Sequence, residues 1–421
     1  MMKQPIYYTP IQLQTLVERG VVLPDSEAVH IATDVVLERI SATATLHPGT
    51  RISGVKTTIG AQVEIGLCGP ATLEDAEVGD GAVVGSLGPV TLCRTTVGPH
   101  SDLGSGVAED CVFLGKETQL NDFTTGYGFR VRKGSLYEED ASTAQHTDTK
   151  MTILFPWVTL GSNSNLCDLL ISGGNGPELG HFTEVGSGTI HFNFTAHGDK
   201  ATGTLLGDVE SGLFLDCKRL FIGGNNSLLG PLQAEYGTFT PAGGRCSRRL
   251  LRGLNPTDAN RTGFTPYPDN RPRNLRRIVG SQVEYCAQLI VLLHWYELVR
   301  MPFAASNALR TVYAAGHETV CDNLKERIRQ LDAVLSRDES YAPKDRWLQS
   351  QWPILQAQLQ EVERFASALP EAFRTALEAS RNRDPQLPYT QLIRSLPPAA
   401  VLAGQAWTTQ IAATVRNLLL H

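Results

Sequence analysis

The residues best suited to chemistry crowd into one segment, Ser187-Gly-Thr-Ile-His-Phe-Asn-Phe-Thr-Ala-His-Gly-Asp-Lys-Ala-Thr202, with a second polar run at Ala144-Gln-His-Thr-Asp-Thr-Lys150. An imidazole titrates near neutral pH and can take up a proton from a reacting group, which makes His191 and His197 candidate general bases. His146 and His181 are further candidates, His146 also as a substrate contact; the alternative for each is a solvated surface histidine. Lys150 and Lys200 can hold a phosphate or pyrophosphate as mobile point charges, or stay hydrated. Asp148 and Asp199 can orient a histidine or bind sugar hydroxyls, although Asp199 after Gly198 also suits a turn.

The elements that must carry these groups are set by a repeat. Apolar residues recur six apart at Ile40, Leu46 and Ile52, step by seven to Ile59, then by six to Ile65. Ile40, Ile59, Val78 and Val97 are each 19 apart, as are Leu46, Ile65, Val84 and Leu103; Ile52, Ala71 and Val90 make a third series. An α-helix needs spacings of three and four and an amphipathic strand needs two, so a sustained six fits neither. It predicts a three-sided solenoid whose stacked coils bury continuous apolar columns that no single coil could bury. Gly60, Gly66, Gly79, Gly85, Gly98 and Gly104 follow column positions directly, where corners form. After a less regular stretch from 116 to 156, the pattern returns at Leu160, Leu179, Val185, Ile222, Leu229 and Tyr236, each followed by glycine, and runs to about Gly244. His191 and His197, six apart, then occupy equivalent positions on neighbouring faces of one coil and can meet only across a subunit boundary.

Within this frame the Ser187–Thr202 segment resembles the S/A-G-T-I-x-x-N-Y/F segment in the acetyltransferase half of bacterial N-acetylglucosamine-1-phosphate uridyltransferases, Asn193 and Phe194 falling on its Asn-Tyr pair. The likeness continues weakly through Gly207-Asp208 and Ile222-Gly-Gly to Leu229-Gly-Pro, over roughly residues 140 to 245. Ala144–Lys150 and Phe155-Pro-Trp-Val-Thr-Leu-Gly161 are similar to stretches of bacterial proteins known as UDP-N-acetylglucosamine pyrophosphorylases. The resemblance implies the left-handed parallel β-helix of hexapeptide-repeat acyltransferases. It also implies a homotrimer with substrate between subunits, acyl-CoA (acetyl-CoA or another) as co-substrate, and Asn193 holding an amino sugar. In that family a histidine is the base; here Asp168 falls at its position, followed by an inserted Ser172-Gly-Gly-Asn-Gly-Pro177 turn. A carboxylate serves as base only where its surroundings raise its pKa. The glycine-rich nucleotide loop of a pyrophosphorylase is missing from the sequence, so that activity is not expected.

The expected division is a lead-in over 1–28 with a short helix near Pro10 to Glu18, the β-helix over 29–244, an Arg/Pro-rich linker over 245–277 and an α-helical domain over 278–421. The linker's nine arginines face only Asp258 and Asp269. They can bind the phosphates of a nucleotide or coenzyme A, or line a solvated connector. Beyond them Ile278, Tyr285, Leu289, Leu292, Leu293 and Tyr296 form one helical stripe, with further helices expected at 304–336, 344–367 and 398–419. A net charge of -6 over 421 residues gives no global pull toward nucleic acid or an anionic membrane. Eight dispersed cysteines without a C-x-x-C pair read as reduced thiols, and the absence of a signal-like or spanning apolar run makes a cytoplasmic location the expectation. The functions weighed are transfer of an acyl group to a nucleotide-linked amino sugar, non-catalytic nucleotide-sugar binding or scaffolding, and a zinc enzyme like the hexapeptide carbonic anhydrases. The His181-x9-His191-x5-His197 spacing is unlike the last, so no metal is expected.

Overall fold

The computed structural model describes residues 6–118, 123–194, 200, 203–247, 249–256, 275–336, 346–365 and 367–419. Within them the chain winds into a parallel β-helix of about eleven turns, followed by a region of several helices. Every strand ladder is parallel, and each short strand pairs with strands one coil before and one coil after it. The first apolar series stacks as expected, Ile40 on Ile59, Val78 and Val97, and the column continues through Phe113, Tyr137, Leu154, Ile171 and Leu206. The second runs from Leu46 through Ile65, Val84 and Leu103 to Thr125, Thr143, Leu160, Val185 and Ile222.

The third series differs from its reading. Ile52 pairs with Leu73 and then Leu92, while Ala71 pairs with Val90 alongside, because this face holds a longer strand with two inward residues per coil. The described part of the irregular stretch from 116 to 156 is also solenoid: Thr125, Thr143 and Thr149 fill inward positions, so winding persists where the hydropathy signal fades. Leu179 is no column residue, being 89% exposed in an inserted turn, and Leu228 rather than Leu229 points inward. Strand pairing continues past 244 to Gly253–Leu254. Close approach of successive coils explains the glycines best at Gly98, where an added Cβ would lie 2.1 Å from the Leu114 carbonyl oxygen.

Helix α1, Pro10–Arg19, closes the N-terminal end of the solenoid with buried Leu13 and Leu16, its first turn fixed by reciprocal Thr9 and Gln12 hydrogen bonds. A short helix, α2 (Val209–Gly212), is inserted late in the solenoid. Beyond it come α3 (Leu275–Trp295), α4 (Asn307–Leu335), α5 (Arg346–Gln360), α6 (Glu371–Arg383), α7 (Tyr389–Arg394) and α8 (Pro398–Arg416). Helix α3 is buried on every side from Tyr285 to Trp295, where only Gln288 and His294 are polar besides the Tyr285 hydroxyl and the Trp295 N–H, and packs on α4 and α8. It runs on into a π-helical turn, Tyr296–Arg300. The expected helix at 344–367 is α5 plus a 3-10 turn at Val362–Phe365. Helices α6 and α7 escape the apolar period because α6 buries only Phe373, Leu377 and Ser380 and α7 is short.

Candidate functional site

The structure draws several of the expected site residues into one polar seam between the solenoid and α4. Asp168 sits in the middle of strand Asn165–Ile171 with φ +59°, where the chain turns from one face to the next. Its carboxylate accepts hydrogen bonds from the Asn193 side chain and from Arg327 of α4. Asp168 is 4% exposed and Arg327 1%. Arg327 also donates to the Lys200 carbonyl at 3.2 Å, and Asn323 one turn earlier donates to the Gly134 carbonyl at 2.8 Å. A buried carboxylate bound to a guanidinium from α4 ties the solenoid to that helix.

His191 also departs from its reading. In strand Ile190–Phe192 it is the inward residue, 4% exposed, and it occupies a column position paired with Leu228. Its Nδ1 bonds to the Cys167 carbonyl, and its Nε2 lies 2.9 Å from the Thr204 hydroxyl, which itself accepts from the Leu232 N–H. Both ring nitrogens are thus occupied in a neutral imidazole. Burial pushes its pKa down to about 4, against the opposing pull of the Cys167 carbonyl and Asp168. It cannot meet a partner across a subunit boundary, because its side chain faces the solenoid interior.

The remaining candidates are distributed. His146 is an exposed corner residue with φ +54°, edge-on to the Tyr127 ring at 5.7 Å. Asp148 is tied to Arg132 at 2.7 Å, and Arg132 also reaches the Cys167 thiol at 3.3 Å. Lys150 is half-buried opposite Cys167 in the strand ladder. His197 and Asp199 lie outside the described residues, as does most of the Arg/Pro-rich linker.

A different place has the form of a binding site. Two insertions at one corner of the late coils, the glycine-rich turn after Ile171 and the α2 segment, border an open cleft of about 480 Å³ lined by Asn175, His181, Lys218, Arg219, Phe239 and Arg252. Gly174, with φ +110°, lets the turn double back, and it bridges to both Phe182 and Cys217. That brings the Asn175 side-chain oxygen 2.9 Å from His181 Nδ1. An amide oxygen accepts from Nδ1–H, which leaves Nε2 with its lone pair for a ligand. Three cationic side chains line the cleft and no carboxylate does, among the described residues. The Arg219 guanidinium lies 5.6 Å from the centroids of both Phe221 and Phe239, which stack on one another at 6.2 Å. The sequence carried two signals for this site, the inserted glycine-rich turn and the adjacent Lys218-Arg219 pair. Nothing in the six-residue period indicated that they meet.

A second cleft, of about 310 Å³, is lined by Asp208, Glu210, Glu284, Arg249 and Arg416. Its charges are largely spent on one another, with Arg416 bonded to Glu284 at 2.7 Å and also to Glu210, so it offers a ligand less unbalanced charge. No group of His, Cys, Asp or Glu among the described residues is placed to hold a metal, and no described helix is long and apolar enough to cross a membrane. No protein-family model matches the chain, and no curated protein is detectably similar to it.

Proposed function

We propose that this protein is an acyltransferase that uses an acyl-CoA to acylate a nucleotide-linked amino sugar, with His181 as the general base. The β-helix is compatible with hexapeptide-repeat acyltransferases, and the observation that carries the reading is the His181–Asn175 pair set among Lys218, Arg219 and Arg252 beside Phe239. In this scheme the sugar amine attacks the thioester carbonyl, forming the C–N bond as the C–S bond breaks. His181 Nε2 takes the amine proton and returns it to the departing thiolate, so the products are amide and free thiol. The three cations hold the diphosphate and the aromatic face supports the base. A homotrimer is part of the proposal and is checked by light scattering.

The test is thiol release from acetyl-CoA in the presence of UDP- and dTDP-amino sugars. We expect turnover that falls by about 10²- to 10⁴-fold in His181→Ala, the usual contribution of a general base. No thiol above background with any acceptor overturns the proposal. A second reading, non-catalytic nucleotide-sugar binding, is favoured by the sealing of Asp168 and His191. Calorimetry showing nucleotide-sugar binding without thiol release supports that reading.

A further inference from the structure

The junction between solenoid and helices holds a charge cluster that the proposed reaction does not use. Glu138 and Glu139, at the corner after strand Leu136–Tyr137, are 1% and 2% exposed, and Arg300, at the end of the π-helical turn, is 1% exposed. The guanidinium lies 2.9 Å from Glu138 and 2.6 Å from Glu139, and the Tyr296 hydroxyl donates to Glu138 at 2.8 Å. Arg300 is also 3.7 Å from the centroid of the Tyr389 ring. A third carboxylate, Glu117, caps α7, accepting from the backbone N–H groups of Tyr389 and Thr390 at 2.6 and 3.0 Å and from the Thr390 hydroxyl at 2.5 Å. The other ionisable groups facing this set are Tyr296 on the π turn, Tyr313 on α4, Tyr389 on α7, Arg381 on α6 and Asp140 at the same solenoid corner. The two terminal nitrogens of Arg381 donate to the carbonyls of Phe303, Pro385 and Leu387.

Two buried carboxylates, Glu138 and Glu139, share the Arg300 guanidinium, with the half-buried Glu117 close to Glu139; ionised together they leave an excess of negative charge, and such charge is costly away from water. We propose that this cluster is a proton-operated latch: α3 and α7 are held on the solenoid while Glu117 and Glu138 retain a proton, and their attachment weakens when it is lost. Burial, the largest influence, pushes Glu138 and Glu117 each up to about 7, which puts the change in a physiological range. The sign follows from linkage. Carboxylates raised in the docked state bind protons that the released state lacks, so docking is strongest below the ordinary carboxylate range and declines as pH rises toward about 7.

Hydrogen exchange on the full chain at pH 5 and pH 8, expressed as protection factors, tests the latch without reference to catalysis. We expect protection of α7 and of the last turns of α3 to fall by about tenfold or more at the higher pH, the equivalent of one pKa unit of linkage, while the coils from 40 to 100 hold theirs. Glu138→Gln, which fixes a neutral side chain, should remove most of that contrast in α3, and Glu117→Gln should do so in α7 if the first variant folds poorly. Equal protection at the two pH values, or an undiminished contrast in both variants, overturns the proposal.

Discussion

His191 stands where a solenoid of this kind stacks leucine or valine, and an imidazole is tolerated there only because the Cys167 carbonyl and the Thr204 hydroxyl engage both nitrogens of its neutral form. Its folded pKa of about 4 lies below the ordinary value of 6.5, so the unfolded chain binds the proton first. The stability it lends is complete above pH 6.5 and is lost as the pH falls toward about 4, by on the order of 3 kcal/mol. Thermal melts between pH 7 and 4 should show that acid loss, and His191→Leu should flatten it. Arg327 poses the converse problem of a buried ion. Replacing it with Met leaves the buried Asp168 side chain without its guanidinium, at a cost of about 3–5 kcal/mol. Asp168→Asn in the same chain should recover part of this in denaturant titrations. If Asp168 were the catalytic base, Asp168→Asn alone would abolish thiol release; with His181 as base, the folded variant keeps it.

At the scale of elements, the solenoid is specified less by hydrophobicity than by position. The buried hydroxyls of Thr125 and Thr143 have no hydrogen-bond partner among the described residues, so they detract from the column they complete. Thr143→Val preserves the shape and removes that liability, and a rise in melting temperature corresponding to about 1 kcal/mol or more is expected. Corner glycines act in the opposite sense. Gly98→Ala should lower stability by about 1–3 kcal/mol because the methyl group meets the backbone of the next coil, which cannot move without breaking its ladder. A melting temperature unchanged in that variant would refute the close-approach account.

For the whole molecule, the decisive fact is that buried side chains of the solenoid and of the helices form one continuous core, from Leu13 in α1 to Val415 in α8. Phe214 of the α2 insertion packs against Trp295 of α3 and Phe373 of α6, at ring separations of 5.3 and 6.0 Å. The helical region is therefore an integral flank of the late coils. Calorimetry at pH 5 should show one cooperative transition; two resolved transitions there would mean that the shared core does not couple the parts.

What the amino-acid order settled by itself was the winding. Six-residue spacing is a local property, and once each coil closes, stacking identical positions is the only way to bury them, so the columns at Ile40 and Leu46 and the helical change after Ile278 could be read directly. Direction of a polar side chain was not legible. His191 and Ile190 are neighbours in sequence and face opposite sides of a strand, so a one-residue shift decides whether an imidazole meets solvent or leucine. Asp168 and Arg327, and His181 and Arg252, are far apart in the chain. Their meeting depends on how inserted turns fold back and where α4 docks, which are long-range packing outcomes that no short spacing encodes.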